Sequence, residues 1–516
     1  MIAIRLGAIL LLAIALRWAA FVGLVGADDI AIADNALRLL ESGPWLPMNH
    51  YAARVGLIYP LAGIYALMGV GEWQTVVMPF FYSLLSIVLA YLIGARLAGT
   101  PAGLWAALFL ALFPLDVAGA SQLMPDLPQG ATMALTFYLA LRVGDAQRPI
   151  LWAIFAGLAW GLSYLIKVEA PLLALPMLVL LIMNREHWRA MLLVFVVLGA
   201  VIALESLIYW SAGGGVVHRL YAVQHQGDGK VEAAYSAAQL WVFPKAWFIT
   251  VYEFGLHYYL MFGAMLWVMA TRQSRLYVIV VWALVLLLWL QFGGNPFAAD
   301  YSVKSHLNRY CEMLAVPMAV LIGAFVARLW SLRSNAAALM VTAAALSAGL
   351  FFINFNTLSY ESEHATKRAI DYVRAHDLFP VYMDRKSYDL ATIYLHGDPR
   401  LVQVHSLQEH GAKTAETAGV APDAAASYLL LNRDFMLYGW RRYRIEPVDA
   451  GQFKDRELVF QVDNPGNRLA YLQARFLGAV GRLLPVAFLR EKIGGTADEL
   501  LAPEDVLLFG KAPTRG

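Results

Sequence analysis

Cysteine is almost missing: Cys311 is the only one in 516 residues. A lone thiol cannot close an intramolecular disulfide or build a thiolate metal cluster, and at the start of an apolar run its expected role is packing. Charge is scarce too. Asp, Glu, Lys and Arg make up 15% of the chain, where a soluble globular protein carries roughly a quarter. The two signs nearly cancel, with 39 Lys+Arg against 37 Asp+Glu, so no basic field speaks for nucleic acid. There is no internal repeat and no low-complexity tract. His, Cys, Asp and Glu nowhere fall at tight metal-ligand spacing. No small-residue cleavage pattern precedes Asp28, and the apolar run before it is long for a signal peptide. That run, residues 2–25, is therefore read as a retained first span.

What remains is overwhelmingly apolar. Hydrophobic residues make up 60% of the chain, and the mean hydropathy is +0.58. The fold class this implies is a polytopic α-helical membrane protein. Hydropathy marks about eleven spanning runs, at 2–25, 74–95, 101–116, 124–142, 149–166, 170–184, 190–210, 255–270, 276–292, 310–328 and 335–355. Orientation follows from the basic residues of the short connections. With a cytoplasmic N-terminus, Arg5, Arg96, Arg142, Arg148, Arg185, Arg189, Arg272, Arg275, Arg328 and Arg333 all fall on the cytoplasmic side. The expected location is the inner (plasma) membrane, with every long connection on the periplasmic or extracellular side.

Three long connections result: 26–73, 211–254 and 293–309. The first holds Asp28-Asp29 and then a short amphipathic helix with Ile30, Ala33, Leu37 and Leu40 at helical spacing, stopped by Gly43-Pro44. Its second apolar stretch, Val55 to Val70, is short for a span and is expected to lie in the interface. The second connection ends in an aromatic segment, Trp241 to Tyr252, typical of headgroup depth. Residues 1–356 thus form one expected membrane domain. From 357 to 516 the composition turns polar and mixed. Strands are expected at 381–383, 401–404, 428–431 and 458–461, with a helix over 365–375, giving a C-terminal α/β domain outside the membrane.

Several charged groups fall at the outer ends of spans, where desolvation is costly. Asp116 and Asp126 bracket one connection, Lys167 and Glu169 another; Arg54 precedes the interfacial stretch, and Lys304, His306, Arg309 and Tyr310 lead into the tenth run. Glu205 lies inside an apolar run, where internal pairing is the expected fate. Cations at headgroup depth suit a phosphate carried on a lipid. Carboxylates beside them suit a base that takes a proton from an acceptor hydroxyl or amine. An acidic pair opening a helix is, by itself, also an ordinary N-terminal cap. His50, His218, His225 and His257 with Glu253 leave a divalent metal open, although ordinary loop histidines are the favoured reading; no other cofactor is expected.

The order of these features resembles the GT-C glycosyltransferases that use polyprenyl-phosphate sugars, a group that includes protein O-mannosyltransferases and the lipid A aminoarabinose transferase. One span is followed by an external acidic pair, an amphipathic helix ending Leu-Leu-Glu-Ser-Gly, then Arg54 and Tyr59-Pro60. The family pattern has Asp-Glu where this chain has Asp28-Asp29. Asp126 in Met124-Pro125-Asp126 matches its second acid, Ile166-Lys167 its Thr-Lys-like step, and Arg309-Tyr310 with Pro317 its Arg-Tyr before a Pro-containing span. The likeness covers roughly residues 1–330. It implies inverting transfer of a sugar from a polyprenyl-phosphate carrier to an extracytoplasmic acceptor. Asp28 would be the general base and Asp29 a cap or orienting neighbour. Lys167, Arg309 and Arg54 would neutralise the phosphate, and Tyr59, Asp126, Glu169, Lys304, His306 and Tyr310 would complete the substrate site. A flippase for a lipid-linked sugar would also gather cations at headgroup depth, but should carry repeated halves and midplane substrate groups.

Overall fold

The computed structural model describes residues 1–144, 147–224, 241–294, 307–332, 335–407, 427–432, 435, 456–462 and 468–511, the last stretch apart from 484, 486, 488–489, 492, 496 and 498–505. Lys304 and His306, expected in the substrate site, and His225, weighed as a metal ligand, lie outside these described residues.

The membrane part runs α1 (Ile2–Ala19), α2 (Asp28–Ser42), α3 (Val55–Met68), α4 (Glu72–Ala98), α5 (Thr100–Ala111), α6 (Pro114–Gly119), α7 (Asp126–Val143), α8 (Pro149–Ile166), α9 (Ala174–Met183), α10 (Trp188–Ser211), α11 (His218–Gln224), α12 (Val242–Ile249), α13 (Val251–Phe254), α14 (His257–Thr271), α15 (Tyr277–Phe292), α16 (Ala315–Ser331) and α17 (Asn335–Asn356). Among the described residues, seven helices are long and apolar enough to cross a membrane: Ile2–Ala19, Glu72–Ala98, Pro149–Ile166, Arg185–Ser211, Ser274–Phe292, Asn308–Ser331 and Ala338–Ala375. The protein is therefore a polytopic helical membrane protein. The other four expected runs are also helical, in α5, α7, α9 and α14, but they fall short of that length or hydropathy. The first run is shorter than hydropathy suggests. Its helix stops at Ala19, and Gly23 and Gly26 then adopt φ of 78° and 68°, which carry the chain out of the helix toward Asp28.

One apolar core fills the helical bundle, built on Ala102, Phe109, Phe137, Trp160, Met261, Trp282 and Val320. A second core joins α2 and α3 to the C-terminal part. Ile30, Ile32, Ala33 and Ala36 of α2 meet Leu57, Ile58 and Leu61 of α3, Leu127 and Ala131 of α7, and the C-terminal Ile370, Leu390 and Ile393. The face that α2 buries is rotated slightly from the expected one: Leu40 is exposed, and Ile32 and Ala36 are buried in its place.

After α17 come α18 (Glu361–Ala375), β1 (Val381–Met383), α19 (Arg385–Tyr394), β2 (Val404–Ser406), β3 (Tyr428–Asn432), β4 (Leu458–Val462), α20 (Arg468–Leu483) and β5 (Val506–Phe509). The strands form one sheet in the order β2-β1-β3-β5-β4. β1 is parallel to β2 and β3, with Val381 opposite Val404 and Tyr428. β5 runs antiparallel to both β3 and β4. The strand expected at 401–404 is mostly a 3-10 turn, Pro399–Gln403, because Pro399 opens it and the Asp398 side chain caps it by accepting from the Arg400 amide at 3.0 Å.

Candidate active site

The charged cluster is assembled from helix ends. Asp28 opens α2 and Asp126 opens α7, so each acid sits where the exposed amides and the helix dipole favour it. Lys167 follows the last turn of α8, where a cation is favoured. Arg54 immediately precedes α3, and Arg309 and Tyr310 lie in the 3-10 turn Asn308–Leu314 ahead of α16. Two glycines allow these ends to meet. At Gly56, a Cβ would lie 2.8 Å from the Ile166 amide nitrogen, so α3 can sit against the end of α8. At Gly130, a Cβ would lie 2.9 Å from the Glu312 carbonyl, so α7 can sit against the turn that carries Arg309.

The resulting contacts form one chain of ion pairs. Asp28 Oδ2 accepts from Arg309 Nη2 at 2.8 Å and from Arg54 Nη1 at 3.4 Å. Asp28 Oδ1 accepts from the Tyr51 hydroxyl at 3.1 Å. Arg309 Nε lies 3.6 Å from Asp126 Oδ2. Lys167 Nζ donates to Asp126 Oδ1 at 2.7 Å and lies 3.4 Å from Glu169 Oε1. The Tyr310 ring stands under both cations, 4.3 Å from Lys167 Nζ and 5.8 Å from the Arg309 guanidinium carbon. Met124 Sδ accepts from Arg309 Nη1 at 2.7 Å. Among the described residues, Arg54, Lys167 and Arg309 thus pair with Asp28, Asp126 and Glu169. The Arg309 side chain is the most exposed member of the group, at 26%.

The acidic pair is split between two kinds of contact. Burial alone would raise the pKa of Asp28, but Arg309, Arg54 and His50 outweigh it and hold the carboxyl well below the usual carboxylate range. Asp29 is fully buried, and both its oxygens are taken by backbone: Oδ2 accepts from the Val25 amide at 2.7 Å and Oδ1 from the Ala27 amide at 2.6 Å. Its place is thus a stitch across the turn before α2, away from the arginines, and Asp28 alone of the two faces them. Tyr59 is also set apart, half exposed on α3 and outside the ion-pair chain.

His218, His257 and the remaining acids named from the sequence are engaged elsewhere, while His50 lies near enough to act on Asp28. His218 Nε2 bonds the Pro47 carbonyl at 2.6 Å. His257 bonds the carbonyls of Phe109 and Phe254 at 2.9 and 3.0 Å. Glu253 accepts from Asn308 Nδ2 at 2.9 Å, one residue before Arg309. Among the described residues, no three His, Cys, Asp or Glu side chains converge as a metal site would require. The residues described do not fit a three-ligand divalent site. Glu205 pairs internally, as expected of a carboxylate in an apolar run, with Arg219 Nη1 at 2.6 Å; Arg219 also donates to the carbonyls of Tyr164 and Leu165, just ahead of Lys167. Asp116 is bound by Arg17 and Ser83 inside the bundle. Tyr51 escapes sequence reasoning, and so does the contact of Met124 with Arg309, although Met124 belongs to the Met124-Pro125-Asp126 motif.

Residues 56–210 match the model of the dolichyl-phosphate-mannose-protein mannosyltransferase family. Among curated proteins none matches the chain. Among solved structures, the chain is similar to ArnT from Cupriavidus metallidurans in the apo state, with 14% identity over 88% of this chain and 95% of that one at a TM-score of 0.54. It is also similar to the same protein bound to undecaprenyl phosphate, over the same shares, at a TM-score of 0.53. The Archaeoglobus fulgidus oligosaccharyltransferase tethered with an acceptor peptide gives 11% identity over 99% of this chain and 88% of that one, with a TM-score of 0.55. Identities this low establish a shared fold. The resemblance to GT-C glycosyltransferases of the ArnT and protein-mannosyltransferase type stands on that fold and on the matched segment.

Proposed function

We propose, taking the GT-C fold as premise, that this chain is an inverting glycosyltransferase that moves a sugar from a polyprenyl-phosphate carrier to an extracytoplasmic acceptor. The observation that carries this reading is the Asp28 carboxylate held between Arg309 and Arg54, with Lys167 two contacts further on. A buried ion pair is weak support for stability, because desolvation offsets its attraction. A linked set of them at converging helix ends is better accounted for by charges that appear during a reaction. Two of the similar proteins lend further support: one is described bound to undecaprenyl phosphate, and another is described as an oligosaccharyltransferase.

In the proposed step, Asp28 takes the proton from the acceptor hydroxyl or amine. The acceptor atom forms its bond to the anomeric carbon while the bond from that carbon to the phosphate oxygen breaks. The electron pair leaves with the polyprenyl phosphate, and Arg309, Lys167 and Arg54 receive its charge. Asp126 and Glu169 hold Lys167 in place, Tyr310 supports both cations, and Asp29 fixes the turn from which Asp28 projects.

The low pKa of Asp28 adds a requirement. A carboxylate paired with two guanidiniums is a poor base. The donor phosphate competes for those same guanidiniums, most directly for Arg309, the most exposed of the three cations. Once they turn to the phosphate, the carboxylate loses its partners and its basicity rises. Donor binding thereby activates the base, and the acceptor reacts second.

The test is turnover by purified protein in liposomes without an ion gradient, using a panel of polyprenyl-phosphate hexoses and pentoses with membrane lipids and proteins as acceptors. Transfer with release of polyprenyl phosphate is expected, and Asp28→Asn should lose it. Translocation of intact donor with no bond cleaved would favour a flippase and overturn the reading.

A further inference from the structure

The sixteen residues of α20 present three distinct faces. Ala470, Ala474, Gly478 and Gly481 are buried, and the first two share a small core with Phe355 and Leu358 at the end of α17. On another side Leu469, Leu472, Phe476 and Leu483 are 59%, 60%, 61% and 84% exposed. Steps of three, four and seven residues place these four on one line along the helix. Arg468, Arg475 and Arg482 are exposed beside them, each seven residues from the next. The helix is thus apolar toward the protein, apolar toward the outside, and basic along one border.

Its position says what the outer face meets. Gln473 Oε1 accepts from Asn354 Nδ2 at 2.7 Å, which ties α20 to the last turn of α17, a helix belonging to a membrane-crossing candidate. Tyr252 meets the Phe355 ring there at 5.9 Å, an aromatic grouping suited to headgroup depth. Leu339, Met340 and Leu350 of α17 are exposed as well, and Leu350 lies one turn before Asn354. α18 begins five residues beyond α17, and its Lys367 bonds the Val22 carbonyl at 2.8 Å. The α20 end of α17 is therefore the end at which the Asp28 site lies. The charges complement a leaflet: guanidiniums bind phosphate oxygens through paired N–H groups, and an apolar stripe bordered by basic residues is the pattern of a helix lying in the membrane plane.

We propose that α20 is an interfacial helix that docks on an anionic lipid surface. Leu469, Leu472, Phe476 and Leu483 enter the boundary of the acyl chains, and Arg468, Arg475 and Arg482 sit on lipid phosphates. Because α20 lies in sequence between β4 and β5, which are neighbours in the sheet, this seat fixes the sheet against the leaflet beside the active site. The inference does not depend on glycosyl transfer.

The test uses the full chain in mixed phosphatidylcholine–phosphatidylglycerol vesicles. Cys311 is buried, so Phe476→Cys supplies one accessible thiol for a bimane fluorophore without touching the core. Bromine on the acyl chains is expected to quench the probe strongly and aqueous iodide weakly. Bromine carried on phosphatidylglycerol should quench roughly twofold more than bromine carried on phosphatidylcholine, since each basic residue at a surface draws anionic lipid. Replacing the three arginines with glutamine should remove that preference. Quenching by iodide alone would put the face in water and overturn the proposal. Protection from both quenchers, with energy transfer between labelled copies, would assign the face to a second copy and overturn it as well. Equal quenching by the two lipids would remove the anionic-lipid assignment.

Discussion

Asp28 and Asp29 are neighbours with opposite duties. One carboxylate faces two guanidiniums and a tyrosine hydroxyl, while the other closes the turn with two backbone amides. Asp28→Asn keeps an oxygen that can accept from Arg309 but cannot take a proton. Transfer is expected to fall roughly a hundred- to ten-thousand-fold, the usual contribution of a general base, with a smaller fall in the unfolding temperature because the pairing with Arg309 and Arg54 is lost. Asp29→Asn keeps one acceptor for the turn and should retain most of the activity. Asp29→Ala should cost about 1 kcal/mol, as the loss of a cap does, and the rate should fall with it. Equal losses in Asp28→Asn and Asp29→Asn would contradict the division. A pH dependence follows from the Asp28 shift. Its pKa in the folded state is depressed, so its pairing contributes stability above the ordinary carboxylate pKa and loses it only in strong acid. When donor phosphate draws off the arginines the pKa rises. Undecaprenyl phosphate is therefore expected to cause proton uptake by Asp28 in mildly acidic, weakly buffered solution, and Asp28→Asn should remove that uptake from the total proton exchange. At this scale the sequence was informative where chemistry is unusual. An acidic pair beside an apolar run is expensive, and so are Lys167 and Arg309 at span ends. Tyr51 is a common residue in an ordinary place, and only the folded chain brings it to Asp28 and Met124 to Arg309.

The segment that carries Asp28 is held from the far end of the sequence. Lys367 of α18 donates to the Val22 carbonyl at 2.8 Å and to Glu72 Oε1 at 2.7 Å, and the same Glu72 oxygen accepts from the Leu24 amide at 2.9 Å. Both side chains are largely buried. Lys367→Met leaves Glu72 without its cation, which is expected to cost roughly 3–5 kcal/mol, read as a lowered unfolding temperature in detergent. Adding Glu72→Gln to that variant should restore part of the loss, because the stranded charge is gone. A single variant as stable as the parent would show that the clamp carries no load. Elements were legible from hydropathy because a run of about twenty apolar residues has few alternatives to a helix. The same reasoning lengthened the first helix past Ala19, since hydropathy does not register the backbone angles of Gly23 and Gly26. It also missed β5, because Val506–Phe509 is a short, fully apolar run with no alternation to mark it as a strand. At 401–404 the apolar run suggests a strand, but Asp398 and Pro399 just ahead of it start a capped 3-10 turn instead.

For the whole molecule, charge sets the expectation for orientation and for the side on which the C-terminal part lies. Arginines of the short connections should face the cytoplasm, and the sheet should then lie outside with Asp28. Val402 is 80% exposed in the turn before β2, and Gln273 is exposed in the connection after α14. An impermeant thiol reagent is expected to reach Val402→Cys in intact cells, and to reach Gln273→Cys only after permeabilisation. The reverse pattern would invert the protein and with it the side on which the acceptor must arrive. The most direct measurement is an experimental map of the protein with undecaprenyl phosphate. The phosphate is expected within hydrogen-bonding distance of Arg309 and Lys167, with the 2.8 Å contact between Arg309 and Asp28 opened. A phosphate bound elsewhere, with that contact intact, would contradict the account.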